Sequence, residues 1–585
     1  MPKKKKRESC RKQPSQPGRI AKASEQTLQS FAVGPLPILN RLLEQMDLEN
    51  ILRGHLRRDG SRTRLPTTTG LLVLLRNLLM SREPIYGIGE WAADFGPDLL
   101  GLTSRQLQYF NDDRIGRCLD RLFESTGPEM VMAVVRHVVK QFQLSLDELH
   151  NDSTTVSFFG AYEDAAEEGT QRGCQTVAIT YGHSKDHRPD LKQLLYILTV
   201  SNDGGVPVYF ATKSGNVVDD QTHQETWDIL RELVGSEDFM YVADCKLATT
   251  DNMKYIDRQG GRFISVLPAT RKEDRKFRQR LVTNPDAVAW DYLYEIRDEK
   301  DQQVVDELRV CPEETITKEK FRLWWFHSTR KARRDERSRL KHIGRATAEL
   351  AKLQDRLLGP RPRLRTKEQV EPVVTEILKE TGTEAWLRVE VGEYVTEEFK
   401  QTTPGRPGKD TQYVKQTTTF CDLSWELDTQ AVQESQKTDG VFPLITNTQD
   451  MTAAEVLQAY KRQPIIEKRF SQLKTDFVVA PVYLKNVSRI QALLCLYFFA
   501  LMIQTLLERE LRKAMREKQV ESLPLYPEGR ACKKPTARRI LDIFASVQRH
   551  TLKSRGRSES FTTELTQLQR QILSLLEISP TGYGL

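Results

Sequence analysis

The sequence predicts an α/β core interrupted by a large mixed α+β insertion, with helical N- and C-terminal domains. Three observations carry this. Apolar residues recur at helical spacing from Leu36 to about Asp147. At Leu149 the period changes to extended, and three strands, a helix, a strand, a helix and a strand follow as far as Leu267. Residues 268–438 then have a different character before a strand-like run, Asp439 to Thr446, returns.

In chain order, residues 1–29 are Lys, Arg, Ser, Gln and Pro with little apolar content, and are expected to form a disordered basic arm. Its Lys3–Arg7 run suits either nuclear import or phosphate affinity. Residues 30–146 read as a helical domain and a candidate for DNA binding, with Ile38, Leu42, Leu43 and Met46 on one face and Leu71, Leu72, Leu75, Leu78 and Leu79 on another. Residues 147–267 hold the strands 149–158, 194–200, 206–212, 239–244 and 262–267. The turn Asn202-Asp-Gly-Gly205 joins the second and third as a hairpin, and Asp219-Asp220 is expected to cap the first helix. This order is that of a ribonuclease-H-like fold, whose first and fourth strands are neighbours.

After Leu267 no closing helix is expected, and residues 268–438 read as an insertion with strands near 289–296, 304–310 and 321–326. A long charged helix from Ser328, a helix around 366–380 and strands at 385–395 and 411–427 complete it. Residues 439–515 read as the second part of the ribonuclease-H-like core: Thr452-Ala-Ala-Glu455 is a capping box, and the apolar run 492–503 is a buried helix rather than a membrane span. Residues 516–585 are expected to be basic and helical, with Arg538, Arg539, Arg549 and Lys553 open to phosphate contact.

The 88 basic residues against 80 acidic ones, a net charge of +8, favour a polyanionic partner. Eight singly scattered cysteines, without a C-x-x-C pair, point to a reduced intracellular protein without structural zinc. No secretory leader, membrane span or Gly-rich nucleotide loop is evident, so no membrane and no nucleotide cofactor is expected.

The chemistry centres on Ala459–Lys474. On a continuous helix Glu467 and Lys474 fall within ~20° of one face. Pro464 is expected to start a new helical segment, which would separate Tyr460 from Glu467. Asp152 on the first strand and Asp244 at the end of the fourth are expected side by side, with Glu467 on the helix behind them. Three convergent carboxylates bind hard cations, Mg²⁺ or Mn²⁺, and two such ions suit phosphoryl transfer on nucleic acid. Asp219 and Asp220 read as caps instead, and Asp186 and Asp190 as loop residues paired with His187 and Arg188.

At this point the sequence resembles the DDE transposases of bacterial and archaeal insertion sequences, the insertion-sequence-four type with a large insert before the glutamate. That group carries Tyr, two residues, Arg, three residues, Glu, six residues, Lys. Tyr460, Glu467 and Lys474 match; Gln463 occupies the Arg position, with Arg462 one place early. The block Gly182–Gln193, which contains His187 and Arg188, also resembles one typical of the group. The resemblance implies that Asp152, Asp244 and Glu467 hold two Mg²⁺ or Mn²⁺ ions, and that Tyr460 and Lys474 contact phosphates of the element's end. Arg462, His187 and Arg188 are further candidates for DNA contact, and Trp325, beside Trp324, for stacking on a flipped base.

The function expected is cut-and-paste transposition: end binding, metal-dependent strand cleavage, and strand transfer into target DNA by a dimer on double-stranded DNA, in the cytoplasm of a prokaryote and associated with its nucleoid. The alternatives are a ribonuclease-H-like nuclease that does not join strands, and a domesticated, non-catalytic DNA-binding protein.

Overall fold

The computed structural model describes residues 26–298, 301–359, 362–477, 484–554 and 557–583. The Lys3–Arg7 run lies outside them. The chain divides into two compact units. One comprises the described residues up to Leu146 with Ser153–Val217 and Ile465–Leu585; the other comprises Asp147–Asp152 and Val218–Pro464.

The strands that frame the two units are β1 (Glu148–Phe158), β2 (Lys192–Ser201), β3 (Pro207–Ser214), β4 (Met240–Ala243), β5 (Arg262–Val266), β6 (Asp291–Arg297), β7 (Val304–Val310), β8 (Arg322–Ser328) and β9 (Val441–Thr446). In the second unit the order is β1-β4-β5-β9-β8-β7-β6. Here β1, β4 and β5 are parallel, joined by helices α1 (His223–Val234) and α2 (Thr250–Arg258), while β9 runs antiparallel to β5. The parallel strands are apolar because both faces are covered: Tyr241, Val242, Phe263 and Ile264 are all fully buried.

Asp219 and Asp220 do not cap α1. They form a 3₁₀ turn of their own ahead of it, and Thr222 at the N-cap makes no capping bond, its hydroxyl donating back to the Asp219 carbonyl at 2.7 Å. A helix, Lys272–Thr283, does follow β5, where none was expected. Its sequence is so rich in Arg and Lys that only Phe277 and Leu281 mark an apolar face.

The segment 268–438 has two parts. Its first strands extend the sheet through β8, which pairs with β9. Its remainder, the 29-residue helix α3 (Thr329–Leu357), helix α4 (Lys367–Thr381) and the hairpin Leu387–Gln401/Tyr413–Leu427, closes on an apolar core of Leu350, Leu353, Val370, Leu387 and Leu423. Helix α5 (Ala453–Lys461) follows β9 with the Thr452/Glu455 capping box formed.

In the first unit, the six α-helices between Leu36 and Phe142 match the helical reading. The later half of β1 lies beside β2, and β2 and β3 form the expected hairpin. Gly204 and Gly205 both have positive φ, which the tight turn requires. Helix α6 (Pro464–Ser471) leads to helix α7 (Val487–Glu517), which is long and apolar enough to cross a membrane by composition but whose most apolar window is 94% buried.

The two chain ends depart from expectation. Gln26–Ala32, assigned in part to the arm, is a strand paired antiparallel to Gln548–Ser554, itself paired with Arg557–Thr562. The C-terminal region is thus not wholly helical. These strands are polar, with the apolar Leu28 and Phe561 exposed, so no buried stripe announces them.

Candidate functional site

The strand register places the two aspartates. In the second unit β1 and β4 pair from Glu148↔Met240 to Asn151↔Ala243. Asp152, in the middle of β1, and Asp244, just past the C-terminal end of β4, each follow the last residue of this register, on adjacent parallel strands whose spacing is about 4.8 Å. Both are half-buried. Asp244 is fixed twice: its Oδ1 accepts from the Lys246 backbone N–H at 2.9 Å, and its carbonyl accepts from Ser265 Oγ at 2.6 Å.

Alternation along β1 turns Glu148, His150 and Asp152 to one face. Beneath Asp152 lies a buried polar chain. His150 Nε2 bonds Glu148 Oε1 and its Nδ1 bonds Gln463 Oε1, each at 2.8 Å, so both ring nitrogens face oxygen acceptors. Gln463 Nε2 in turn donates to the Asn151 carbonyl at 3.2 Å. Arg462 closes the chain with a two-pronged contact to Glu148, its Nε at 2.6 Å from Oε1. Burial pushes the Glu148 carboxyl up, but the bonds from Arg462 and His150 outweigh that and hold it below the ordinary carboxylate range.

Gln463 therefore ties the segment after α5 to the strand that carries Asp152. Arg462, expected on DNA, is engaged by Glu148. Tyr460 is half-buried against the core of β4, β5 and β9.

In the first unit Glu467 is exposed on α6. As expected from Pro464, α5 and α6 are separate helices. The α-helix does not continue to Lys474, however: a π-helical turn, Gln472–Asp476, follows, and its wider winding breaks the simple seven-residue alignment of Glu467 with Lys474. Lys474 Nζ bonds Asp186 Oδ1 at 2.6 Å, so Asp186 is held by this lysine rather than by the neighbouring His187. Arg188 pairs with Asp190, as expected, and lies over the Phe159 ring; His187 and Arg188 are both exposed. Lys185, which the residues alone did not single out, donates to Ser153 Oγ at 2.7 Å and to the Ser153 carbonyl at 2.8 Å. The only signal for it was its place inside the Gly182–Gln193 block.

Helix α6 is anchored from below. Arg469, 1% exposed at its side chain, donates to the carbonyls of Gly204 and Gly205, to Gln472 and to Glu508. Glu508 on α7 is also met by Lys468 and Arg512. Burial pushes the Glu508 carboxyl up, and the surrounding cations, Arg469 foremost, more than reverse it.

Trp325 is 1% exposed and stacked on Phe277 with centroids 3.8 Å apart. It packs the core, which corrects its assignment as a base platform; Trp324 lies under Arg322. Among the described residues no group of three or more His, Cys, Asp or Glu side chains is gathered as a metal site, and the described cysteines are all free. Asp152 and Asp244 each present a half-buried carboxylate, the donor type that suits a hard cation.

Residues 148–503, more than half of the chain, match the family described as "Transposase DDE domain". No curated protein matches the chain.

Proposed function

Because the chain belongs to the DDE transposase family, whose members act on DNA, we propose that it moves an insertion sequence of the insertion-sequence-four type by cut-and-paste transposition. The core is read as ribonuclease-H-like, with Asp152, Asp244 and Glu467 as the acidic triad. The observation that carries this reading is the parallel register of β1 and β4, whose last pair, Asn151↔Ala243, is followed on each strand by an aspartate.

Asp152 and Asp244 would supply four hard oxygens from adjacent strands, and with Glu467 they would hold Mg²⁺ or Mn²⁺. Two bound ions supply an activated water or 3′ hydroxyl and stabilise the leaving oxygen of a phosphodiester. The chain's own part is to hold these carboxylates still. The Glu148–His150–Gln463–Arg462 chain does so beneath Asp152, and the Arg469–Glu508 anchor does so for the helix of Glu467. Lys474, at present on Asp186, exchanges that partner for a phosphate of the element's end, with Tyr460, His187 and Arg188 as further contacts. Holding two ends together requires a dimer on double-stranded DNA.

The test is cleavage and joining of a labelled element end with Mg²⁺ by the wild type and by Asp152→Ala, Asp244→Ala and Glu467→Ala. Each variant is expected to bind DNA and to lose both steps. Cleavage that survives Asp152→Ala, or proceeds without divalent metal, overturns the triad; cleavage without any joined product favours a nuclease.

A further inference from the structure

Helix α3 carries a cationic stripe outside the acidic site. Arg330, Arg334, Arg337, Lys341 and Arg345 are all exposed. At about 100° per residue they fall within an arc of about 80°, and they span about 22 Å of helix. The arc lies opposite the buried face formed by Ala346, Leu350, Leu353 and Leu357, so the stripe points away from the core. No acidic residue falls within it between Arg330 and Arg345.

The stripe is distinct in how its charges are used. The other cations of the same helix are turned elsewhere: Lys331 pairs with Asp335, Arg339 with Asp439 and Lys352 with Glu349, while Arg333 donates to the Thr329 and Val305 carbonyls and Arg356 to the Lys352 carbonyl. Among the described residues, none of the five stripe cations has an ion-pair partner. The helix beneath is held firmly, since the Ser328 side chain caps it and Asp306 accepts from both the Ser328 hydroxyl and the Arg330 backbone N–H. Five aligned, outward cations without ion-pair partners on a rigid rod repel one another unless an extended polyanion neutralises them.

We infer that this face of α3 is a docking surface for the phosphate backbone of double-stranded DNA, engaged without regard to base sequence. That the polyanion is DNA rests on the transposase reading; the surface itself rests on the charge pattern. Steps of three and four residues set the cations about 4.5–6 Å apart along the axis, close enough to follow a phosphate strand. Arginine and lysine heads alone position a duplex and read no bases.

The experiment measures binding of the full chain to a duplex lacking any element end, across a range of salt concentrations. It uses the Asp152→Ala background without divalent metal, so its result does not depend on whether the cleavage reading holds. Arg334→Gln/Arg337→Gln/Lys341→Gln is expected to keep the thermal midpoint and to lower the slope of log affinity against log salt by about 2.7, from about 0.9 per lost phosphate contact. The control, Lys367→Gln/Lys379→Gln/Lys415→Gln, removes the same charge from other exposed positions and is expected to leave the slope within about 0.5 of the parent. A stripe variant with the parental slope overturns the proposal. So does a control that lowers the slope equally, because the effect is then diffuse charge rather than a surface.

Discussion

At the scale of the residue, Gln463 stands where the signature that the sequence resembles would have arginine, and its contacts show what a glutamine does there. Its amide bridges a buried histidine and the backbone next to Asp152. Gln463→Ala leaves His150 Nδ1 facing a void, and a buried polar group without its partner costs about 1–3 kcal/mol. Gln463→Arg brings a second cation into a buried chain where Arg462 already serves Glu148. It is expected to destabilise at least as much as the alanine. Urea unfolding of both variants decides this, and an arginine variant as stable as the wild type contradicts the bridging role.

At the scale of the element, α6 is held less by its own eight residues than by Glu508 on α7. Removing this buried acid strands Arg469 in the interior, and Glu508→Ala is expected to cost about 3–5 kcal/mol in urea unfolding. The sign with pH follows from the depressed carboxyl. The stabilisation is complete above the ordinary glutamate value of 4.5 and is lost as pH falls through the lower folded value. The gap in stability between wild type and Glu508→Gln should therefore be full at neutral pH and close on acidification. A gap that stays constant down to the acid transition rules out the ionised pair as its source.

At the scale of the whole molecule, family membership concerns residues 148–503, yet much of that span is the segment between β5 and β9. Its long hairpin is tied to the local core near its base, through Leu387, Cys421 and Leu423, while its distal half is exposed, including Val395, Phe399 and Val414. Stability should therefore be indifferent to that half. Replacing residues 395–419 by Asn-Gly is expected to shift the thermal midpoint by less than about 3 °C. A larger loss shows that the distal half packs against something the fold needs.

Legibility in the sequence followed the range of the interaction. The switch of hydrophobic period at Leu149, the hairpin glycines, the Thr452/Glu455 cap, the break at Pro464 and the buried helix α7 are local signals, and each was readable because its cause lies within a few residues. That the strands leading to Asp152 and Asp244 are neighbours followed from strand order, a rule of topology applied to local elements. Tertiary structure alone decided what those elements meet. It assigned Arg462 to Glu148, Asp186 to Lys474 and Trp325 to Phe277, and it joined Gln26–Ala32 to strands more than five hundred residues away. Charged and polar side chains take whichever partner the fold brings within reach, and a sequence records their type but not their neighbours.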